Sequence, residues 1–408
     1  MEQSFESRVA FAGMTATTDR VIDLLDGDLY AGDPYPTYAW MRDHAPVYWD
    51  AQNELWGIAR YDDIVEIEKA KDVFINSDRK KGGYRPNLPS DPSIIGLDDP
   101  LHTKRRKLVN RGFTPRTVLA WEDHIEQTVT GLLDAAARKD RVELISDLAG
   151  PLPAQMIGLL LGYPHEMWPK LMEWSARTIV GGGGPRYADD DVIMAAFEFA
   201  GACAELYEEK QRCPADDIMT VWTTAEIDGE AIGLDPVISD CLLLLDGGAE
   251  TTRTVIARTI LKLAARPDQY QLLRDGADMT VAVEEFIRWV TPVLNMCRVA
   301  TRDYEIGGQT IREGQQVVLM YPSANRDPEH FDDPERYDVT RTPNHHIAFG
   351  FGTHFCLGAA LARLEIRMFF DEFVRRVSAI NVVPGSVDFL PNAFVNGVNR
   401  AEVELVYG

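Results

Sequence analysis

Between positions 349 and 358 the chain reads Phe349-Gly350-Phe351-Gly352-Thr353-His354-Phe355-Cys356-Leu357-Gly358, and no other stretch restricts its possible folds as strongly. The glycines and aromatic residues make a tight loop. From Leu357 onward, strong helix formers take over. Cys356 is thereby placed at a helix start, where unpaired backbone N–H groups and the positive end of the helix dipole favour a thiolate. Glycines at 350, 352 and 358 remove Cβ atoms where a flat, bulky group has to approach the backbone. An anionic sulfur, bonded by amides in a dry aromatic surround, is what a haem iron ligand requires. The competing reading is a buried free cysteine in a loop, the commoner fate of a lone Cys; the ten-residue context favours the ligand.

With 408 residues, 45% of them hydrophobic, the chain can bury a large core. Its net charge of −23 argues against nucleic acid or an anionic membrane surface as partner. The five cysteines, at 203, 213, 241, 297 and 356, have no paired spacing and suit a reducing cytosol. The first residues lack the basic and apolar regions of a signal peptide, and no apolar run approaches the roughly 20 residues of a membrane span. A cytoplasmic protein without a membrane anchor is expected.

Residues 1–24 read as a flexible N-terminal segment and 25–408 as a single domain. Tyr35 to Ala45 has helical periodicity, 46–49 and 55–59 form a strand pair, and Tyr61 starts another helix. Residues 78–95, rich in Gly and Pro, form a long loop of the kind that is often functional. His102 and Arg106 are four apart on one helical face and can bond a buried carboxylate; a solvated basic helix is the other reading. Around them Lys104, Arg105, Lys107, Arg111 and Arg116 make a basic cluster that can dock an acidic partner. The run of four glycines at 181–184 is either a lid hinge or a plain connector.

From Asp235, read as an N-cap before Pro236, a helix continues to Ala265, roughly 45 Å long. Its middle is Leu244-Leu245-Asp246-Gly247-Gly248-Ala249-Glu250-Thr251-Thr252. Two adjacent glycines cost a helix about 1 kcal/mol each. Either a flat cofactor approaches here, with a break in the hydrogen-bond ladder beside Thr251, or two helices pack closely. Glu250 and Thr251 form an acid–alcohol pair suited to delivering protons: the hydroxyl donates locally and the carboxylate relays from solvent. Glu285 and Arg288 have the spacing of an ordinary helical ion pair. Pro292 ends that helix before a strand through Arg298.

Phe349, Gly352, Cys356 and Gly358 fill the pattern Phe-x-x-Gly-x-x-x-Cys-x-Gly, and in this the chain resembles the cytochrome P450 superfamily of haem-thiolate monooxygenases. The resemblance implies a mainly α fold with small β-sheets and a long central helix over haem b, and makes Cys356 the axial metal ligand. It implies that His102, Arg106, Arg298 and His354 bind the haem carboxylates. It places Gly248, Phe349 and Gly358 against the cofactor, gives Glu250 and Thr251 the catalytic proton delivery, and makes Glu285, Arg288 and Arg336 a structural triad behind the cysteine loop. For the substrate pocket it implies Ile94 and Ile95 from the 78–95 loop, Leu244 and Ala249 from the central helix, Val293 and Leu294 after Pro292, and Phe394 and Val395 from a C-terminal hairpin tip. The reaction implied is insertion of one oxygen atom from O2 into a C–H bond of a hydrophobic substrate by a monomer, with electrons from a separate ferredoxin and ferredoxin reductase. The runs 105–110, 295–298 and 346–356 are similar to the actinobacterial branch that oxidises sterol side chains. A fatty-acid or terpenoid hydroxylase is the alternative. The Glu250–Thr251 pair argues against two others, a peroxygenase and a non-catalytic haem-thiolate sensor.

Overall fold

A computed structural model describes residues 20–78 and 82–408. The flexibility expected of the N-terminal segment concerns residues that, up to 19, lie outside the described ones. Within residues 20–24, Ile22 and Leu24 are buried, and their amides donate to Tyr48 Oη and Asp50 Oδ2, both at 2.8 Å, while Val21 is exposed.

Helix α1 (Tyr35–His44) leads into strands β1 (Val47–Asp50) and β2 (Leu55–Ile58), then α2 (Tyr61–Lys69) and β3 (Phe74–Ile75). With β4 (Asn295–Ala300) and β5 (Gln316–Met320) these strands form a sheet in the order β1-β2-β5-β4-β3. Only the β2–β5 pair is parallel; Val317 lies opposite Arg298 in the antiparallel β4–β5 pair, so the sheet sets where Arg298 stands.

Helices make up the rest of the framework: α3 (Leu101–Val109), α4 (Glu122–Ala136), α5 (Pro151–Leu161), α6 (Trp168–Thr178) and α7 (Asp190–Arg212). Then Leu234–Leu245, a π-helical turn Asp246–Glu250 and Thr251–Ala265 run on as one helix, α8. It is capped by Gly233 at φ 83°, a conformation that suits glycine, so Asp235 falls in the first turn rather than at the cap. α8 is buried on nearly every side beyond the π turn, as a helix through the middle of a domain must be. α9 (Met279–Val290) and α10 (Ala359–Arg376) pack through Phe286 and Phe370, whose rings lie 4.8 Å apart. Among the described residues, no helix is long and apolar enough to cross a membrane.

The glycine run 181–184 lies between α6 and α7, with Ile179–Gly183 wound as a 3-10 turn. A Cβ on Gly182 would sit 2.4 Å from Phe394 and one on Gly183 2.6 Å from Tyr187, so the glycines are sites of close packing.

Candidate active site

Cys356 leaves the loop three residues before α10 begins, slightly earlier than the helix-former pattern suggests. Its N–H donates to the Phe349 carbonyl at 2.9 Å, closing the loop on itself. Gly350 and Gly352 have φ of 71° and 69°, the left-handed region where a side chain is strained. Burial pushes the Cys356 thiol up, opposed by the Gly358 amide, Arg106, Arg363 and the Ala359 amide. The dipole argument therefore identifies real donors, but burial outweighs them until a cation stands beside the sulfur. The sulfur's residue opens onto an apolar cavity between the loop and α8.

One wall of that cavity is basic. His102, Arg106, Arg298 and His354 all line it, brought together from α3, β4 and the cysteine loop. The His102 and His354 rings are 4.2 Å apart. Both ring nitrogens of His102 are sealed from solvent without a hydrogen-bond partner among the described residues; Asp99 stands 3.8 Å from Nδ1. Burial, then Arg298, His102 and Arg106, push the His354 imidazole down to about 2. Glu68, which the sequence reading passed over, is the carboxylate on this wall; it accepts from Tyr321 Oη at 2.9 Å and Arg298 at 3.1 Å. An unpartnered buried imidazole at His102, with Arg106, Arg298 and His354 beside it on an apolar slot with a cysteine on its floor, fits a flat group with carboxylates on one edge. Haem b meets that requirement: Cys356 would hold the iron, with Phe349 and Gly358 lining the cavity beside it. Among the described residues, nothing beyond its own chain neighbours lies within 4 Å of where a Gly358 Cβ would stand.

On the opposite wall the π turn separates the two adjacent glycines. Among the described residues, none outside its own turn comes within 4 Å of a Cβ on Gly247, whereas a Cβ on Gly248 would stand 2.3 Å from Ile157 of α5. Gly248 borders the cavity by its backbone, but its lack of a side chain serves helix packing; Gly247 makes the opening. Thr251 Oγ1 donates to the Gly247 carbonyl at 2.7 Å, across the bulge. Glu250 is 1% exposed and does not line the cavity; Oε2 accepts from Arg253 while Oε1 has no partner. Burial pushes the Glu250 carboxyl up, with Arg253 opposing.

Asp246 is a second buried acid in the same turn. Thr178 Oγ1 of α6 donates to it at 2.7 Å, and burial, opposed by Thr178 and Arg85, raises it to about 8. The folded protein keeps this proton to about pH 8, whereas an ordinary Asp loses it near 3.8. Unfolding therefore releases a proton between those values, and stability falls as pH rises through that window. Asp246→Asn is expected to flatten the slope, raising the thermal midpoint above wild type at pH 8 and not at pH 4. Parallel pH profiles for the two proteins would contradict this.

Behind the loop, Arg288 donates to Glu285 at 2.7 and 2.8 Å, both side chains being fully buried. The third arginine is Arg341, not Arg336: Arg341 Nε lies 3.3 Å from Glu285 Oε2. The Arg336 side chain is 59% exposed beside Asp338 and joins the cluster only through its carbonyl. Its neighbour Tyr337 buries its ring against Trp289, which turns Arg336 outward.

Ile94, Ile95, Leu244 and Val293 line the cavity as expected. Ala249 and Leu294 do not; they pack in separate parts of the core. Phe394 and Val395 close a small cluster with Ile179 instead of reaching the cavity, because the glycine run accepts the Phe394 ring. Leu243, Thr252, Val255 and Met296 were missed. The first three share the face of Gly247 and Thr251 at helical spacing, a signal present in the sequence.

Comparison with known proteins agrees with this geometry. The family model described as Cytochrome P450 matches residues 278–385. A steroid C26-monooxygenase of Mycobacterium tuberculosis is 37% identical, covering 96% of this chain and 98% of that protein. A linalool 8-monooxygenase of Pseudomonas putida is 34% identical over 94% of this chain and 98% of its own length. Among solved structures, CYP109E1 from Bacillus megaterium in complex with testosterone aligns with a TM-score of 0.84 at 30% identity, covering 93% of this chain and 99% of that one. CYP268A2 of Mycobacterium marinum in complex with pseudoionone gives 0.85 at 30% identity, with 94% and 99% covered. A thiol at the floor of an apolar slot, a basic wall for carboxylates and near full-length kinship lead to one conclusion: the chain belongs to the cytochrome P450 family, haem b monooxygenases that act on hydrophobic substrates.

Proposed function

We propose that this enzyme hydroxylates the terminal carbon of a cholesterol-like side chain. The observation that carries the proposal is an apolar cavity lined by Ile94, Ile95, Leu243, Leu244, Val293 and Met296, in a chain whose relatives include several named steroid C26-monooxygenases. A branched aliphatic tail fits such walls and gains about 25 cal/mol for each Å² of apolar surface removed from water. Bound haem supplies the reductive activation of O2 and the oxidation of the C–H bond, with the cysteine thiolate favouring O–O cleavage.

The chain's own residues do the rest. Cys356 would hold the haem iron, and His102, Arg106, Arg298 and His354 would hold its carboxylates. Thr251 holds a hydroxyl at the mouth of the π turn, where it can pass a proton into the cavity. Glu250, buried behind it with its carboxyl pushed up by burial, is the group we assign to supply that proton. Electrons come from a redox partner, which we assign as a ferredoxin with its reductase, docking on a monomer in the cytoplasm. The basic cluster offered to it is smaller than its sequence suggests, since Lys104 pairs with Asp228 and Arg105 is buried against Asp240. Lys107, Arg111 and Arg116 remain exposed.

A terpenoid substrate is the second reading, favoured by the linalool 8-monooxygenase relative. Titration followed by the haem absorption spectrum separates the two. A sterol with an intact side chain is expected to give a saturable spin-state response at lower concentration than linalool or a long-chain fatty acid. A response to either of those and none to the sterol would reject the steroid reading.

A further inference from the structure

Two adjacent carboxylates on α9 grip the segment that carries the cysteine. Glu285 takes Arg288 and Arg341, as described. Glu284 takes the other side: Arg363 of α10 donates to both its oxygens, at 2.7 and 2.9 Å, and His346 Nε2 lies 3.2 Å from Oε2. His346 Nδ1 accepts the Ala348 N–H at 3.3 Å, so one neutral tautomer, with the proton on Nε2, satisfies both contacts. Burial raises the Glu284 carboxyl, but the bonds from Arg363 and His346 outweigh it and hold the group at about 2. Glu284 is thus a fixed anion.

The fork has a consequence for the loop. The bidentate grip orients the flat Arg363 guanidinium, whose carbon stands 4.5 Å from the centre of the Phe349 ring. Phe349 in turn accepts the Cys356 N–H through its carbonyl. At 38% exposure the Arg363 side chain would sample many rotamers without Glu284 to hold it.

We propose that Glu284 is a positioning residue for the Cys356 loop: it fixes the Arg363 cation over Phe349, whose carbonyl takes the Cys356 N–H, and through that cation sets how readily the haem centre accepts an electron. The proposal rests on the axial role assigned to Cys356 and is independent of the substrate. A cation near the ligand favours the state with one more negative charge, so loosening or removing it makes reduction harder.

The test is the midpoint potential of the substrate-free holoprotein, with the reduced carbon-monoxide spectrum recorded on each variant. Arg363→Gln is expected to shift the potential to more negative values with the thiolate-type band kept. Glu284→Gln is expected to shift it the same way by less, and the double variant no further than Arg363→Gln alone. A positive shift in Glu284→Gln would mean that its own charge acts rather than the cation it holds, and would overturn the proposal. So would unchanged potentials, additive shifts, or loss of the thiolate band in either single variant. Absence of that band from the wild type would instead sink the assignment of Cys356.

Discussion

Truncating Arg288 to alanine is expected to cost about 3–5 kcal/mol of stability, because it strands a buried charge. Glu285 would lose two hydrogen bonds and keep only the Asp338 amide, Asn344 and Arg341. The carbonyls of Asn325 and Pro334, to which Arg288 donates at 2.8 and 3.0 Å, would lose that donor as well. These carbonyls belong to the segment that leads into the cysteine loop, so haem retention should fall with stability. Arg336→Ala is the control, expected to stay within about 0.5 kcal/mol of wild type because its side chain lies at the surface. Urea unfolding of the two variants checks the pair; an Arg336→Ala cost as large as that of Arg288→Ala would contradict the arrangement.

Glu250→Gln is expected to slow product formation by about 10²-fold or more, the scale at which positioned proton donors act. Gln keeps the size and polarity of the side chain but cannot release a proton. Substrate affinity should hardly change, since Glu250 does not line the cavity. The pH profile separates the roles further. Burial lifts the Glu250 carboxyl above the ordinary range, so it keeps its proton to higher pH than an exposed Glu, and wild-type turnover should fall on the alkaline side as that proton is lost. The variant should lack that limb. A Gln variant with wild-type turnover and an unchanged profile would remove Glu250 from the proton path.

How much could be read from sequence differs from residue to residue. The cysteine loop was legible because its demands are local: left-handed glycines, a closing amide and a following helix are all written within ten residues. The break in α8 was legible for the same reason, from two adjacent glycines in a helical run. The triad's third arginine was not. Arg336 and Arg341 are both arginines in one short segment, and the choice between them depends on Tyr337 burying itself against a helix far away in sequence. Phe394 and Val395 were assigned to the cavity because a hairpin tip can reach it; the packing of Phe394 on Gly182 is a contact between residues more than two hundred apart. Asp246 and Glu68 were passed over because a single acid carries no pattern; only burial and partners make either one notable.

The central claim is a bond between Cys356 and haem iron, and the reduced, carbon-monoxide-treated holoprotein tests it most directly. The red-shifted absorption band diagnostic of a thiolate ligand is expected from the wild type and not from Cys356→Ser, which should also form no product. A wild-type spectrum of the histidine-ligated kind, or full turnover by Cys356→Ser, would contradict the claim.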